Sequence, residues 1–69
     1  MYPNIEAERA RALLTKDALS KKLGISQTTY NKYVKGDSAI PSSVLIQLSQ
    51  MFSVSTDYLL GLADRGGTA

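Results

Sequence analysis

Apolar and polar positions along the chain fall into five short blocks, each closed by a glycine or a hydroxyl-bearing residue. In the first block Ile5, Ala12 and Leu13 lie near one helical face, with Ala10 at its edge. Asn4 is a residue type that caps helices, and Glu6 and Glu8 sit near the N-terminal end, where the helix dipole favours acids. The pattern predicts a first helix from Ile5 to Leu13. A second helix is expected over Lys16 to Leu23, capped by Thr15, with Leu19 and Leu23 four apart on the same side. Gly24 suits the left-handed conformation that ends helices, and Ile25 follows as a core position. A third helix is expected from Gln27 to Lys35, capped by Ser26 and stopped by Gly36. Its apolar stripe is Tyr30, Tyr33 and Val34, and its other face carries Gln27, Thr28, Asn31, Lys32 and Lys35.

After the loop "DSAIP", Ser42 or Ser43 opens a fourth helix over about Val44 to Phe52, where Val44, Leu45, Leu48 and Phe52 recur at helical spacing. Ser55 caps a short fifth helix holding Tyr58, Leu59 and Leu60, and Gly61 ends it. No segment shows the alternation of a strand. The expected fold is all-α, with five short helices joined by short connections. Residues 1–62 are expected to form the domain and 63–69 a flexible C-terminal tail.

Three residues, Gly24 to Ser26, separate the second and third helices. The pattern "SKKLGISQTTYNKY" reads as a helix-turn-helix. Two helices that cross closely need a small residue at the crossing, and Ser20 is small. The turn needs a residue that accepts positive φ, and Gly24 does. Such a unit presents its second helix to the DNA major groove, N-terminal end first.

These residues resemble the Cro/CI-type helix-turn-helix domain of phage repressors and xenobiotic-response-element-type bacterial regulators. The resemblance runs over roughly residues 5–61, through "LLTKDALSKKLGISQTTYNKYVKG", "IP" and "LIQLSQMFSVSTDYLLG". It implies a lambda-repressor-like fold and a sequence-specific regulator of double-stranded DNA, of repressor type and acting as a dimer on a pseudo-palindromic operator. By the same resemblance Gln27, Thr28 and Lys32 are base-reading positions, with Asn31 beside them as a fourth, and Lys16 and Lys35 bind phosphate; the exposed amides next to the cap Ser26 supply a further phosphate site. The implied dimer interface is the turn between the fourth and fifth helices, represented by Val54, Thr56 and Tyr58. Because that turn is polar, the homodimer is expected to be weak and to be strengthened on DNA. Side-chain chemistry is compatible with these roles: glutamine pairs with adenine, threonine meets a base or a thymine methyl, and lysine reaches guanine.

The sequence departs from the family pattern in places. Lys16 stands where glutamine is usual, Ser20 where alanine is common, and Tyr30 where valine or isoleucine is usual. Val34 replaces a glutamate that pairs with an arginine matching Arg9, so Arg9 is expected to turn to Glu6, Asp17 or solvent. Leu13 replaces a common glycine, which predicts a longer first helix. The loop "DSAI" lacks the basic residues that some members direct to DNA, which predicts modest affinity.

Charge changes this picture only through its placement. The 69-residue chain carries +2 overall. Lys16, Lys21, Lys22, Lys32 and Lys35 gather around the helix-turn-helix, with Asp17 as the acid among them, and the remainder is net negative. A local basic field attracts polyanions. Histidine and cysteine are both absent, which removes the commonest general base, the commonest metal ligands and any disulfide. No enzyme, cofactor, metal or small-molecule ligand is expected. No membrane association is expected either, and the expected location is the cytoplasm, on DNA, for a bacterial or phage-encoded protein. The competing reading is a protein-interaction module of antitoxin or anti-regulator type on the same fold, because fold alone does not fix function.

Overall fold

The computed structural model describes residues 2–64. Of the expected flexible tail, residues 65–69 lie outside the described residues. The described residues form five helices and no strand: α1 (Pro3–Arg11), α2 (Lys16–Leu23), α3 (Gln27–Lys35), α4 (Ser42–Phe52) and α5 (Thr56–Leu59). α2 packs on α3, α4 packs on α5, and α1 touches both pairs through α3 and α5.

The core draws on all five helices. Ile5, Leu19, Leu23, Tyr30, Val44, Leu48, Tyr58 and Leu59 are buried, and Ile25, Tyr33, Val34 and Phe52 are among the half-buried residues packed around them. Ser20 is buried on the α2 face, with its hydroxyl donated to the Lys16 carbonyl at 2.7 Å. That bond satisfies the hydroxyl within its own helix, so serine is tolerated in a buried position.

The first helix differs from expectation at both ends. It starts at Pro3, because proline fixes φ for a first helical turn and has no N–H to lose there. Asn4 is therefore inside the helix and does not cap it. Its amide instead donates to the Tyr58 carbonyl at 2.7 Å, tying α1 to α5. At the other end the helix stops at Arg11. Leu13 takes φ +60° and is 91% exposed, so it belongs neither to α1 nor to the core. The left-handed residue turns the chain within the short span that separates Arg11 from the α2 cap. The fourth helix also begins early, at Ser42, directly after Pro41. Ser42 and Ser43 lie in its first turn and no side chain caps it.

All five helices close in the same way. A residue in the left-handed region follows each, namely Leu13, Gly24, Gly36, Ser53 and Gly61. The next amide returns to a carbonyl five positions back: Leu14 to Arg9, Ile25 to Ser20, Asp37 to Lys32, Val54 to Ser49 and Leu62 to Asp57. This is the Schellman closure, which satisfies carbonyls that the helix itself leaves open. At Gly24 a Cβ would meet nothing within 4 Å, so glycine is favoured there by its φ of +73° and not by crowding.

Candidate nucleic-acid interface

α3 is built to show one face and bury the other. Its buried side is Tyr30, which is 1% exposed, flanked by half-buried Tyr33 and Val34. Gln27, Thr28, Lys32 and Lys35 are exposed, and Asn31 is half-buried at the edge of the same polar face. These positions fall one turn apart along the helix. The structure thus places together the residues expected to read bases, with Lys35 at the C-terminal end of the row.

The entry to α3 is fixed by Ser26. Its Oγ accepts from the Thr29 amide at 3.1 Å and donates to the Thr29 hydroxyl at 2.9 Å. The hydroxyl proton is thus committed to the cap, and the first backbone amides of the helix are the donors left for an anion. Thr15 caps α2 likewise, accepting from the Ala18 amide at 3.0 Å. The two capped helix starts set Lys16 and Gln27 each as the first residue of its helix.

Behind this surface lies a polar cluster that sequence spacing only partly exposes. Glu6 on α1 is its centre. Its Oε2 accepts from Arg9 Nε at 2.9 Å and from the Tyr30 hydroxyl at 2.5 Å. Its Oε1 lies 3.7 Å from Lys16 Nζ. Arg9 also donates to the Leu14 carbonyl at 2.7 Å, just before the α2 cap. One carboxylate thus links α1 to the middle of α3 and to the first residue of α2. Of the three destinations expected for Arg9, Glu6 is the one it takes. The family glutamate missing at Val34 is in effect replaced from α1, and the enlarged Tyr30 reaches out to meet it. The sequence signal for Glu6 is its i,i+3 spacing to Arg9. The tyrosine contact spans 24 residues and has no local signal.

Burial works against ionisation of Glu6. The hydrogen bonds from Arg9 and Tyr30, with the charges of Arg9 and Lys16, outweigh it and hold the carboxyl below its ordinary value. Burial first, and the neighbouring Glu6 carboxylate second, push the Tyr30 phenol above its ordinary value. Glu6 therefore stays charged and Tyr30 stays a donor.

A second acid on α1, Glu8, is 2% exposed and accepts from the Tyr58 hydroxyl at 3.0 Å and from Arg11 Nε at 3.3 Å. Its expected role was only to complement the helix dipole. A shallow hollow of about 230 Å³ beside it is lined by Glu8, Arg11, Ala12, Met51 and Phe52, and includes no residue of α2 or α3. Val54 in the α4–α5 turn and Thr56 at the start of α5 are half-buried. Tyr58 is buried, with its hydroxyl turned inward to Glu8, and has little surface to give a partner. No helix among the described residues is long and apolar enough to cross a membrane.

Comparison with known proteins agrees with this geometry. The family model described as Helix-turn-helix matches residues 5–59, which contain all five helices except the first two residues of α1. A Bacillus subtilis (strain 168) protein named as the uncharacterized HTH-type transcriptional regulator YobD is 37% identical over 51 residues, covering 74% of this chain and 46% of that protein. The chain thus spans about half the length of that relative. No solved structure matches the chain with significance. With the α2–turn–α3 unit, its caps and the match over residues 5–59 in agreement, this chain belongs to the helix-turn-helix family of the Cro/CI type.

Proposed function

We propose that this chain is a sequence-reading, double-stranded-DNA-binding transcriptional regulator of repressor type. α3 enters the major groove. Gln27, Thr28, Asn31 and Lys32 face the base edges, and Lys16, Lys35 and the α3 N-terminus at Ser26 hold the phosphates. The observation that carries this reading is the two-sidedness of α3. A row of amide, hydroxyl and ammonium groups is exposed on a helix whose other side is locked by buried Tyr30. A rigid polar helix face with a basic C-terminal end fits groove readout.

One such helix reads only a few base pairs, so the functional unit is a weak homodimer on two half-sites about one DNA turn apart. Val54 in the α4–α5 turn and Thr56 at the start of α5 supply the contact, with Tyr58 supporting the turn from within. The site of action is the cytoplasm, on DNA.

The test is selection of duplex DNA from a random pool, followed by fluorescence-anisotropy titration across salt concentrations. A two-half-site consensus should emerge, and Gln27→Ala should relax it at one position by about 1–3 kcal/mol. Lys35→Ala should weaken all sequences alike and flatten the logarithmic salt slope by about 0.9. Failure to enrich any sequence, with binding lost at physiological salt, would overturn the proposal in favour of a protein partner.

A further inference from the structure

Lys16 is the residue expected to hold a phosphate at the start of α2, and it already has an anion beside it. Glu6 Oε1 lies 3.7 Å from its ammonium. The two partners differ in freedom. Glu6 is fixed through Oε2 by Arg9 Nε and the Tyr30 hydroxyl, Arg9 Nη2 also reaches Oε1 at 3.4 Å, and the side chain is 28% exposed. Lys16 is 44% exposed, makes one loose contact, and has a flexible stem with three donors. If the pair opens, the lysine moves and the carboxylate stays.

We propose that Glu6 is a positioning residue for the DNA-facing surface: it occupies Lys16 as an internal stand-in for phosphate, and DNA binding exchanges the carboxylate for a backbone phosphate. This rests on the DNA-reading function proposed above. The exchange has two consequences. The ammonium is kept near the mouth of α2, in reach of a phosphate at the α2 N-terminus. The net gain from its phosphate contact is reduced, because an existing ion pair must open first. Glu6 thus restrains binding to DNA of any sequence while lying outside the helix-turn-helix.

The experiment is a double-mutant cycle on duplex DNA of random sequence, read as affinity and as salt slope. Glu6→Gln should tighten binding by about two- to fivefold at low salt, the range an exposed ion pair supports. It should also steepen the slope by no more than about 0.9, the value for one phosphate. In a Lys16→Ala background the same Glu6→Gln change should have no effect on either quantity. Tyr30→Phe removes a hydrogen bond to Glu6 without changing charge, and should leave the salt slope unaltered. Circular dichroism at the assay temperature confirms that each variant is folded.

An unchanged affinity in Glu6→Gln would overturn the inference. So would an equal gain with and without Lys16, since Glu6 would then act only as a general negative charge. A change of slope in Tyr30→Phe would overturn it too, because a structural effect would then move the readout. Wild-type protein that binds no duplex at all would sink the DNA-reading function together with this inference.

Discussion

The Tyr30 hydroxyl donates to the Glu6 carboxylate at 2.5 Å, joining the middle of α3 to α1 across 24 residues of chain. The ring of Tyr30 is core and its oxygen is a cross-helix tether. Tyr30→Phe keeps the ring and removes the tether. A hydrogen bond to a charged group contributes about 1.5–3 kcal/mol, and Glu6 keeps Arg9 afterwards, so the lower end of that range is expected. Urea denaturation of the two proteins reads the difference directly. An unchanged midpoint would show that the tether adds nothing to stability.

Glu6 also predicts a pH dependence. Its folded-state carboxyl lies below the ordinary value of 4.5, so the folded state holds this proton less tightly than the unfolded chain. The stabilisation is therefore fully present above pH 4.5 and is lost as pH falls through the folded value. Glu6→Gln should be less stable than wild type at neutral pH by a constant margin. That margin should shrink on acidification below 4.5. A margin that persists unchanged to the acid limit would assign the loss to shape and not to charge.

Leu13 and Gly24 hold equivalent places at the ends of α1 and α2, with opposite chemistry. Leu13 has φ +60° and an exposed side chain with no packing to lose. Left-handed geometry costs a non-glycine residue about 1–2 kcal/mol, and the added freedom of unfolded glycine offsets about 0.5–1 of it. Leu13→Gly should raise stability by up to about 1 kcal/mol, and Gly24→Ala should lower it by a similar amount although the added methyl touches nothing. Denaturation midpoints moving in the same direction would refute this account of the two caps.

The Ser26 hydroxyl is used twice within α3, so its first role is structural. Ser26→Ala should cost about 1 kcal/mol of stability and Ser26→Gly only a few tenths. If its phosphate contact is made through the helix amides, as proposed, Ser26→Gly should retain DNA affinity to within about twofold. A large loss of affinity in the folded glycine variant would mean that the hydroxyl itself leaves the cap to contact DNA.

The helix-turn-helix was legible because its determinants are local. Thr15, Ser26 and Ser55 cap α2, α3 and α5 as their types predict, and the alternation of Tyr30 with Gln27, Thr28 and Asn31 separates the two faces of α3. The errors fall where a distant partner or a loop decides. Asn4 has the side chain of a cap, but Pro3 starts the helix first and Tyr58 claims the amide. Leu13 fits the apolar period of α1, but the chain must turn there, and backbone direction overrides side-chain preference. Glu8 looks like a surface acid by position, and its burial is supported by the Tyr58 hydroxyl, arriving from 50 residues away, together with Arg11. The lysines and amides of the polar face were found by type and spacing. Glu6, whose importance comes from three separate helices meeting at one carboxylate, is legible in the sequence as an acid near the helix start and as one of the expected partners of Arg9, not as that meeting point.

Two contacts described above, Asn4 to the Tyr58 carbonyl and the Tyr58 hydroxyl to Glu8, clamp the four-residue α5 onto α1. A helix that short has no stability of its own. Its backbone amides are protected while it stays docked on α1 and α4, so α1 and α5 are coupled in exchange although they stand at opposite ends of the described chain. In hydrogen–deuterium exchange the two should open together and at one free energy. The turn proposed to carry the dimer is thereby held in shape by the N-terminal helix, which also holds the groove-reading helix through Glu6 and Tyr30, so loosening α1 would disturb pairing and reading together.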